Sequence, residues 1–254
     1  MNNHTMDQLP RVARILWAAV FGLGVLVSAE PVALAVPAIF TPGATILFQG
    51  DSITDGNRGR STDPNHILGH GYQFSIAARY GALVPERKLT FINRGESCHT
   101  VAHLAQRWQR DTLDLKPDVL SILIGINDLG GAINAKNSQG AEQYEQAYDA
   151  LLASTVAALP KVHLVLAEPF ILPVGICAQS VATWSQEVKK YQAVVMRLGA
   201  KYKAPVVLYQ KMFTEAVKRA PAEYWIWDGI HPTYAGHGLM AEEWLRTVTA
   251  FYGK

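Results

Sequence analysis

The chain predicts an α/β fold, a three-layer α/β/α sandwich on a five-stranded parallel sheet. Three observations carry that expectation. Short β-branched runs, apolar on both faces, recur along the chain, and helix-length segments separate them. Such runs belong to parallel strands covered by helices on both sides. Polar residues able to do chemistry fall just after the runs, where an open parallel sheet gathers its ligands.

The strands are expected at 45-TILFQ-49, 89-LTFIN-93, 118-DVLSILIG-125, 162-VHLVLAE-168 and 205-PVVLY-209. Helices are expected around 71–81, 100–113, 141–158, 181–202 and 233–251. Pro232 is read as opening the last of these, since proline suits a first helical turn. No repeat, low-complexity tract or linker follows residue 40, so 41–254 reads as a single catalytic domain.

The N-terminal segment has another character. Arg11 and Arg14 precede the uncharged run 15-ILWAAVFGLGVLVSA-29, and small residues follow at 27-VSA-29 and 33-ALA-35. A basic start, an apolar middle and a small-residue site describe a secretory signal peptide over 1–35. The alternative is an uncleaved anchor, although the run is shorter than the ~20 residues that span a bilayer. The expected location is periplasmic or extracellular, membrane-anchored if the leader stays on. No stable membrane insertion is expected once it is removed. The net charge is only +2 and no basic stripe stands out, so nucleic acid is not an expected partner. Cys98 and Cys177 are the two cysteines, able to pair in an oxidising compartment or to stand apart as small core residues.

The stretch 46-ILFQGDSITDGNRG-59 turns from apolar to polar and sets Ser52 at the turn. A serine hydroxyl becomes a nucleophile only when a base takes its proton and a third group fixes that base. The sequence 228-DGIH-231 offers both: Asp228 can reach one ring nitrogen of His231 while the other faces Ser52. Acyl transfer also needs donors aimed at a developing oxyanion. The Ser52 N–H, the Gly95 N–H in 93-NRG-95 and the Asn127 amide in 125-GIND-128 are the three candidates. Each residue has a plainer use: Asp228 as a helix cap, His231 as a loop histidine, glycine and asparagine as turn formers. Spacing alone leaves both readings open.

Taken together, 50-GDSI-53, 93-NRG-95, 125-GIND-128 and 228-DGIH-231 resemble, in order and spacing, the four blocks of the SGNH hydrolases, the GDSL-type esterases and lipases. The resemblance covers nearly the whole chain from residue 44. It implies a flavodoxin-like SGNH hydrolase fold with Ser52 as nucleophile, Asp228 as acid and His231 as base. It also implies Ser52, Gly95 and Asn127 as the oxyanion hole. The segment 95-GESCHTVAH-103 departs from the family's usual turn, which bears on the rim around Cys98 and His99.

No cofactor and no metal is expected, since His99 and His103 have no third ligand in view. Asp51 and Asp128 are read as loop-holding residues rather than proton carriers. The loop 55–71 is expected to shape access to the site, with Arg58 or Arg60 at the entrance. Arg58, Trp225 and Trp227 are the candidate substrate contacts, the two tryptophans sharing one face if 224–227 is extended and either stacking on a sugar or filling core space. The expected activity is hydrolysis of carboxylic esters through an acyl-enzyme, with O-acetyl groups on carbohydrate as the preferred substrate. A lysophospholipase or general short-chain esterase is the alternative. A non-catalytic carbohydrate-binding protein and a flavin or nucleotide binder are rivals of other classes; the chain lacks the glycine-rich phosphate motifs of the latter. The apolar stretch 169-PFILPVG-175 is the one segment that could wall an acyl tail.

Overall fold

The computed structural model describes residues 35–253, and the leader expected at 1–35 falls outside them but for Ala35. In chain order the elements are β1 (Thr45–Gly50), α1 (Ser52–Asp55), α2 (Tyr72–Leu83), β2 (Thr90–Asn93), α3 (Val101–Trp108), β3 (Val119–Leu123), α4 (Ile126–Asn134) and α5 (Gly140–Ala158). They continue with β4 (His163–Ala167), α6 (Gly175–Ala178), α7 (Val181–Tyr202), β5 (Val206–Val207), α8 (Tyr209–Ala216), α9 (Ala222–Trp225) and α10 (Tyr234–Tyr252). The five strands form one parallel sheet in the order β2-β1-β3-β4-β5. The expected strands and long helices are all present.

The sheet is buried because its strands were written for burial. All five residues of β3 are buried, and the one polar member, Ser121, accepts a hydrogen bond from Trp244 Nε1 at 2.9 Å. A buried hydroxyl with its partner met avoids the cost of an unpaired polar group. Helix α10 packs on α2 and α8, while α5 packs on α3, α4 and α7, giving a helical layer on each side. Phe48 of β1 meets the rings of Tyr72 at 5.8 Å and Trp244 at 5.7 Å, so strand and covering helices share one aromatic core. Burying each such large side chain contributes about 1.5–3 kcal/mol.

The chain moves from β1 out to β2 and then back across to β3, so the strand order reverses at β1. Crevices at such a reversal, beyond the carboxyl ends of the strands, are where these sheets hold ligands. Ser52 follows β1 and Asn127 follows β3, on either side of that point.

Three local expectations change. The helix expected over 100–113 ends as an α-helix at Trp108 and closes with a π turn, Gln109–Leu113. The wider turn buries Asp111 and Thr112, whose oxygens take both Nε2 hydrogens of the buried Gln49 at 2.8 and 2.7 Å. Pro232 does not open α10: it pairs with Ile226 in an antiparallel bridge, and Thr233 caps the helix by accepting from the Gly236 N–H. Residues 224–227 are not extended throughout, because α9 runs to Trp225.

Candidate active site

Ser52 begins α1, and Asp51 caps that turn by accepting the Ile53 N–H on Oδ1 at 3.0 Å. The cap holds the serine at the mouth of the crevice, half-buried. Its Oγ lies 2.8 Å from His231 Nε2. On the far side of the ring, His231 Nδ1 lies 2.7 Å from Asp228 Oδ2.

The loop carrying Asp228 and His231 is tightly made. Asp228 Oδ1 accepts the N–H groups of Ile230 at 3.1 Å and His231 at 2.8 Å, which orients the carboxylate towards the ring. Gly229 turns the chain at φ +103, and a Cβ there would sit 2.5 Å from Val174 O, so only glycine fits. Burial works against the Asp228 charge, but the bonds from His231 outweigh it and hold the carboxyl below its usual range. An ionised Asp228 fixes the tautomer with Nδ1–H donating to the carboxylate, which leaves Nε2 free to accept the Ser52 proton.

The oxyanion side differs from expectation at Gly95. Its N–H is committed to Asn93 Oδ1 at 2.9 Å. Gly95 is instead a packing position, since a Cβ there would meet Asp55 N at 2.3 Å. The other amides of the loop are likewise committed, with one exception. Glu96 donates to Gly50 O, Ser97 to Asp55 Oδ2, His99 to Glu96 O, Thr100 to His103 Nδ1 and Val101 to Asp128. Among the described residues only the Cys98 N–H of residues 95–101 has no acceptor, at a residue turned to φ +66. The Ser52 N–H likewise has none among them. Asn127 Nδ2 donates to His99 O at 3.0 Å, which spends one amide hydrogen and aims the other.

Asp51 and Asp128 hold loops, as the sequence predicts, Asp128 by accepting the Val101 N–H at the start of α3. Asp51 is buried behind the serine and Asp128 is partly buried. Burial, with the charge of Asp128 added, pushes Asp51 up to about 7, and burial pushes Asp128 up to about 6.

Arg58 is turned inward, while Arg60 stays half exposed. The Arg58 side chain is only 8 % exposed, donating from Nε to Gly95 O at 3.0 Å and pairing with Glu96. Arg60 binds Asp55 at 2.9 Å and Glu96 at 3.0 Å. Both arginines pair with Glu96, so the 55–71 segment is laced to the 95–97 loop.

The two tryptophans part company. Trp225 lies in the core at 7 % exposure under the Arg219 guanidinium, so it is no substrate contact. Trp227 is 65 % exposed and its ring stacks near His231, 6.4 Å between centroids at 25°. Trp225 closes the single turn of α9 and packs inward, and Trp227 follows it outside the helix, exposed.

Cys98 is an exposed free thiol and Cys177 a buried one beneath Gly229. His99 and His103 stack 5.0 Å apart; His103 closes the capping box of α3 with Thr100. Phe170, Ile171 and Leu172 are buried. The latter two line an apolar cavity of about 480 Å³ with Val188 and Val217, which Ser52, Asn127, Asp228 and His231 do not line.

The sequence reading did not single out three residues beside the site. Arg107 and Asp111 stand four apart on α3 and its π turn, and this i,i+4 pair beside the apolar positions 101, 104 and 108 was the available signal. His237 is buried on α10 and accepts the Tyr72 N–H on Nδ1 at 3.1 Å. Nothing in its spacing marked it.

Residues 48–239 match the GDSL-like Lipase/Acylhydrolase family. The chain is 32 % identical over 208 residues to an acetylxylan esterase of Geobacillus stearothermophilus, covering 81 % of this chain and 94 % of that one. Among solved structures, a GDSL-like lipase-family protein from Parabacteroides merdae superposes with a TM-score of 0.78 at 36 % identity, over 82 % of this chain and 96 % of that one. The acetylxylan esterase Axe2 of Geobacillus stearothermophilus superposes with a TM-score of 0.71 at 30 % identity, over 82 % and 95 %. Catalytic mutants of Axe2, changed at a serine, an aspartate and a histidine, superpose equally well. With its sheet, its four sequence blocks and its serine-to-aspartate alignment, the chain belongs to the GDSL-like lipase/acylhydrolase family, and it is a serine hydrolase of carboxylic esters.

Proposed function

We propose that this enzyme removes O-acetyl groups from carbohydrate by way of an acetyl-enzyme on Ser52. The observation that carries the mechanism is the line Ser52 Oγ, His231 Nε2, His231 Nδ1, Asp228 Oδ2, with contacts of 2.8 and 2.7 Å. His231 takes the Ser52 proton on Nε2 as Oγ bonds to the ester carbonyl carbon. The oxyanion rests on the Ser52 N–H, the free Asn127 amide hydrogen and the Cys98 N–H, the last in place of Gly95. As the C–O bond breaks, the Nε2 proton passes to the leaving sugar oxygen. Water then attacks the acetyl-enzyme, giving its proton to His231, and acetate leaves as the proton returns to Ser52.

The carbohydrate assignment is supported by the acetylxylan esterase relative and by Trp227, whose open face beside His231 suits the apolar face of a sugar ring. The apolar cavity that Ile171 and Leu172 line is not lined by Ser52, Asn127, Asp228 or His231, which counts against a tail-binding wall at the site and so against the lysophospholipase reading. The basic start, apolar run and small-residue sites within 1–35 read as a leader ahead of a catalytic domain at 41–254, and that reading supports action outside the cytoplasm.

The test is acetate release from acetylated xylooligosaccharide by the wild type and by Ser52→Ala. The variant should lose several orders of magnitude in kcat, because serine, base and acid act as a unit. A folded Ser52→Ala with near-normal turnover would overturn the mechanism. A wild type that cleaves p-nitrophenyl acetate but releases no acetate from acetylated sugars would overturn the substrate.

A further inference from the structure

Arg107 is 8 % exposed, a guanidinium almost wholly withdrawn from water, and its donors are met by two separate segments of the site. Nη1 donates to Gln49 Oε1 at 3.0 Å and faces Asp111 Oδ2 at 3.3 Å. Nη2 reaches Gly50 O at 3.5 Å. Nε donates to His99 Nδ1 at 3.1 Å. Gln49 and Gly50 are the last residues of β1, immediately before Asp51 and Ser52, and His99 is the residue whose carbonyl receives Asn127.

We propose that Arg107 is a positioning residue for the oxyanion hole: acting through His99, it ties the 95–100 loop to the end of β1 and so aims the Asn127 amide before substrate arrives. A structural ion pair alone does not account for its contacts. Asp111 is already met by Arg110 at 2.8 Å, and the other Arg107 partners are neutral groups on the segments bearing the nucleophile and the oxyanion donors. The planar fork reaches these partners in fixed directions, which the single ammonium of lysine cannot reproduce. The Nε–H bond requires an unprotonated Nδ1, so His99 stands as the neutral Nε2–H tautomer. Burial, then Arg107 and the stacked His103, hold the His99 pKa below its usual value, against the weaker pull of Glu96 and Asp111.

The inference rests on the esterase reading, and kinetics on p-nitrophenyl acetate separate the two. His99→Ala should lower kcat about 10- to 100-fold, somewhat less than loss of a direct oxyanion donor, with KM within about threefold. His99→Asn, which returns an acceptor oxygen near the place of Nδ1, should recover most of that loss. Arg107→Lys should fall as His99→Ala does, and the double variant should be no slower than the worse single, since both break one bond. Should Arg107→Lys fail to fold, the two His99 variants still decide. Equal kcat for His99→Ala and His99→Asn, a rise in KM alone, or multiplying effects in the double variant would overturn the proposal while Ser52→Ala stays inactive. An active Ser52→Ala would overturn the esterase reading and this proposal with it.

Discussion

Asn127 Nδ2 donates to the carbonyl oxygen of His99 at 3.0 Å, so the amide on the β3 side of the crevice is oriented by the loop that follows β2. One hydrogen fixes the group and the other is left unspent, free for the oxyanion in the proposed mechanism. A donor set in place beforehand needs no reorganisation as charge develops.

Asn127→Ala should therefore reduce kcat on the order of 10²- to 10³-fold with a much smaller effect on KM. Steady-state kinetics on p-nitrophenyl acetate check this. A rise in KM at constant kcat would make Asn127 a binding residue.

Gly95 predicts a different outcome from an oxyanion glycine. With its N–H already given to Asn93, the cost of Gly95→Ala comes from the 2.3 Å approach of a Cβ to Asp55 N. The variant should lose about 1–3 kcal/mol of stability from overpacking, seen as a lower denaturant midpoint. An unchanged midpoint with collapsed kcat would return the Gly95 amide to the oxyanion hole.

The exposed ring of Trp227 bears on the sugar rather than on the ester. Trp227→Ala should raise KM for an acetylated oligosaccharide about 3- to 10-fold, as loss of an aromatic contact of roughly 0.5–1.5 kcal/mol implies. KM for p-nitrophenyl acetate should move less. Equal rises for both substrates would deny the ring a role in sugar recognition.

Acyl length is set by the apolar surface a tail can cover, at about 0.8 kcal/mol per buried CH₂. Phe170, Ile171 and Leu172 are buried in the fold, and the loops near Ser52 are laced by Arg58, Arg60 and Glu96. Hence kcat/KM on p-nitrophenyl esters should be highest for acetate, lower for butyrate and very low at octanoate. A profile rising to octanoate would refute the acetyl preference.

Stability should depend on pH through opposed buried groups. Asp51, raised from 3.8 to about 7 by burial, binds its proton more tightly folded than unfolded, so its contribution declines as pH rises through that window. Glu168, raised to about 7 by burial, acts in the same sense. His237, lowered by burial from 6.5 to about 4, acts oppositely, costing stability as pH falls from 6.5 towards 4. In Tm measured against pH, Asp51→Asn should flatten the decline towards neutrality. His237→Asn, whose amide oxygen can still accept the Tyr72 N–H, should steepen it below pH 6.5. Parallel curves for all three proteins would refute the assignment.

The sheet was legible in the sequence because local physics writes it. The nucleophile, base and acid were legible through the resemblance of the four blocks, spacing alone leaving Asp228 and His231 open to a cap and a loop histidine. Runs apolar on both faces have only a covered parallel sheet to occupy, and an Asp three residues before a His in one short loop can reach the ring without help from afar. Ser52 at a strand end is placed by the same local grammar of strand, cap and turn. The free amide at Cys98, the spent amide at Gly95, and Arg107 spanning β1 and the 95–100 loop were decided by tertiary structure alone. So was the parting of Trp225 from Trp227, where one turn of helix replaced the extended segment that would have aligned them. A hydrogen bond between residues distant in sequence leaves no period or spacing in the chain, and which donor stays free depends on every acceptor the folded neighbours bring within reach.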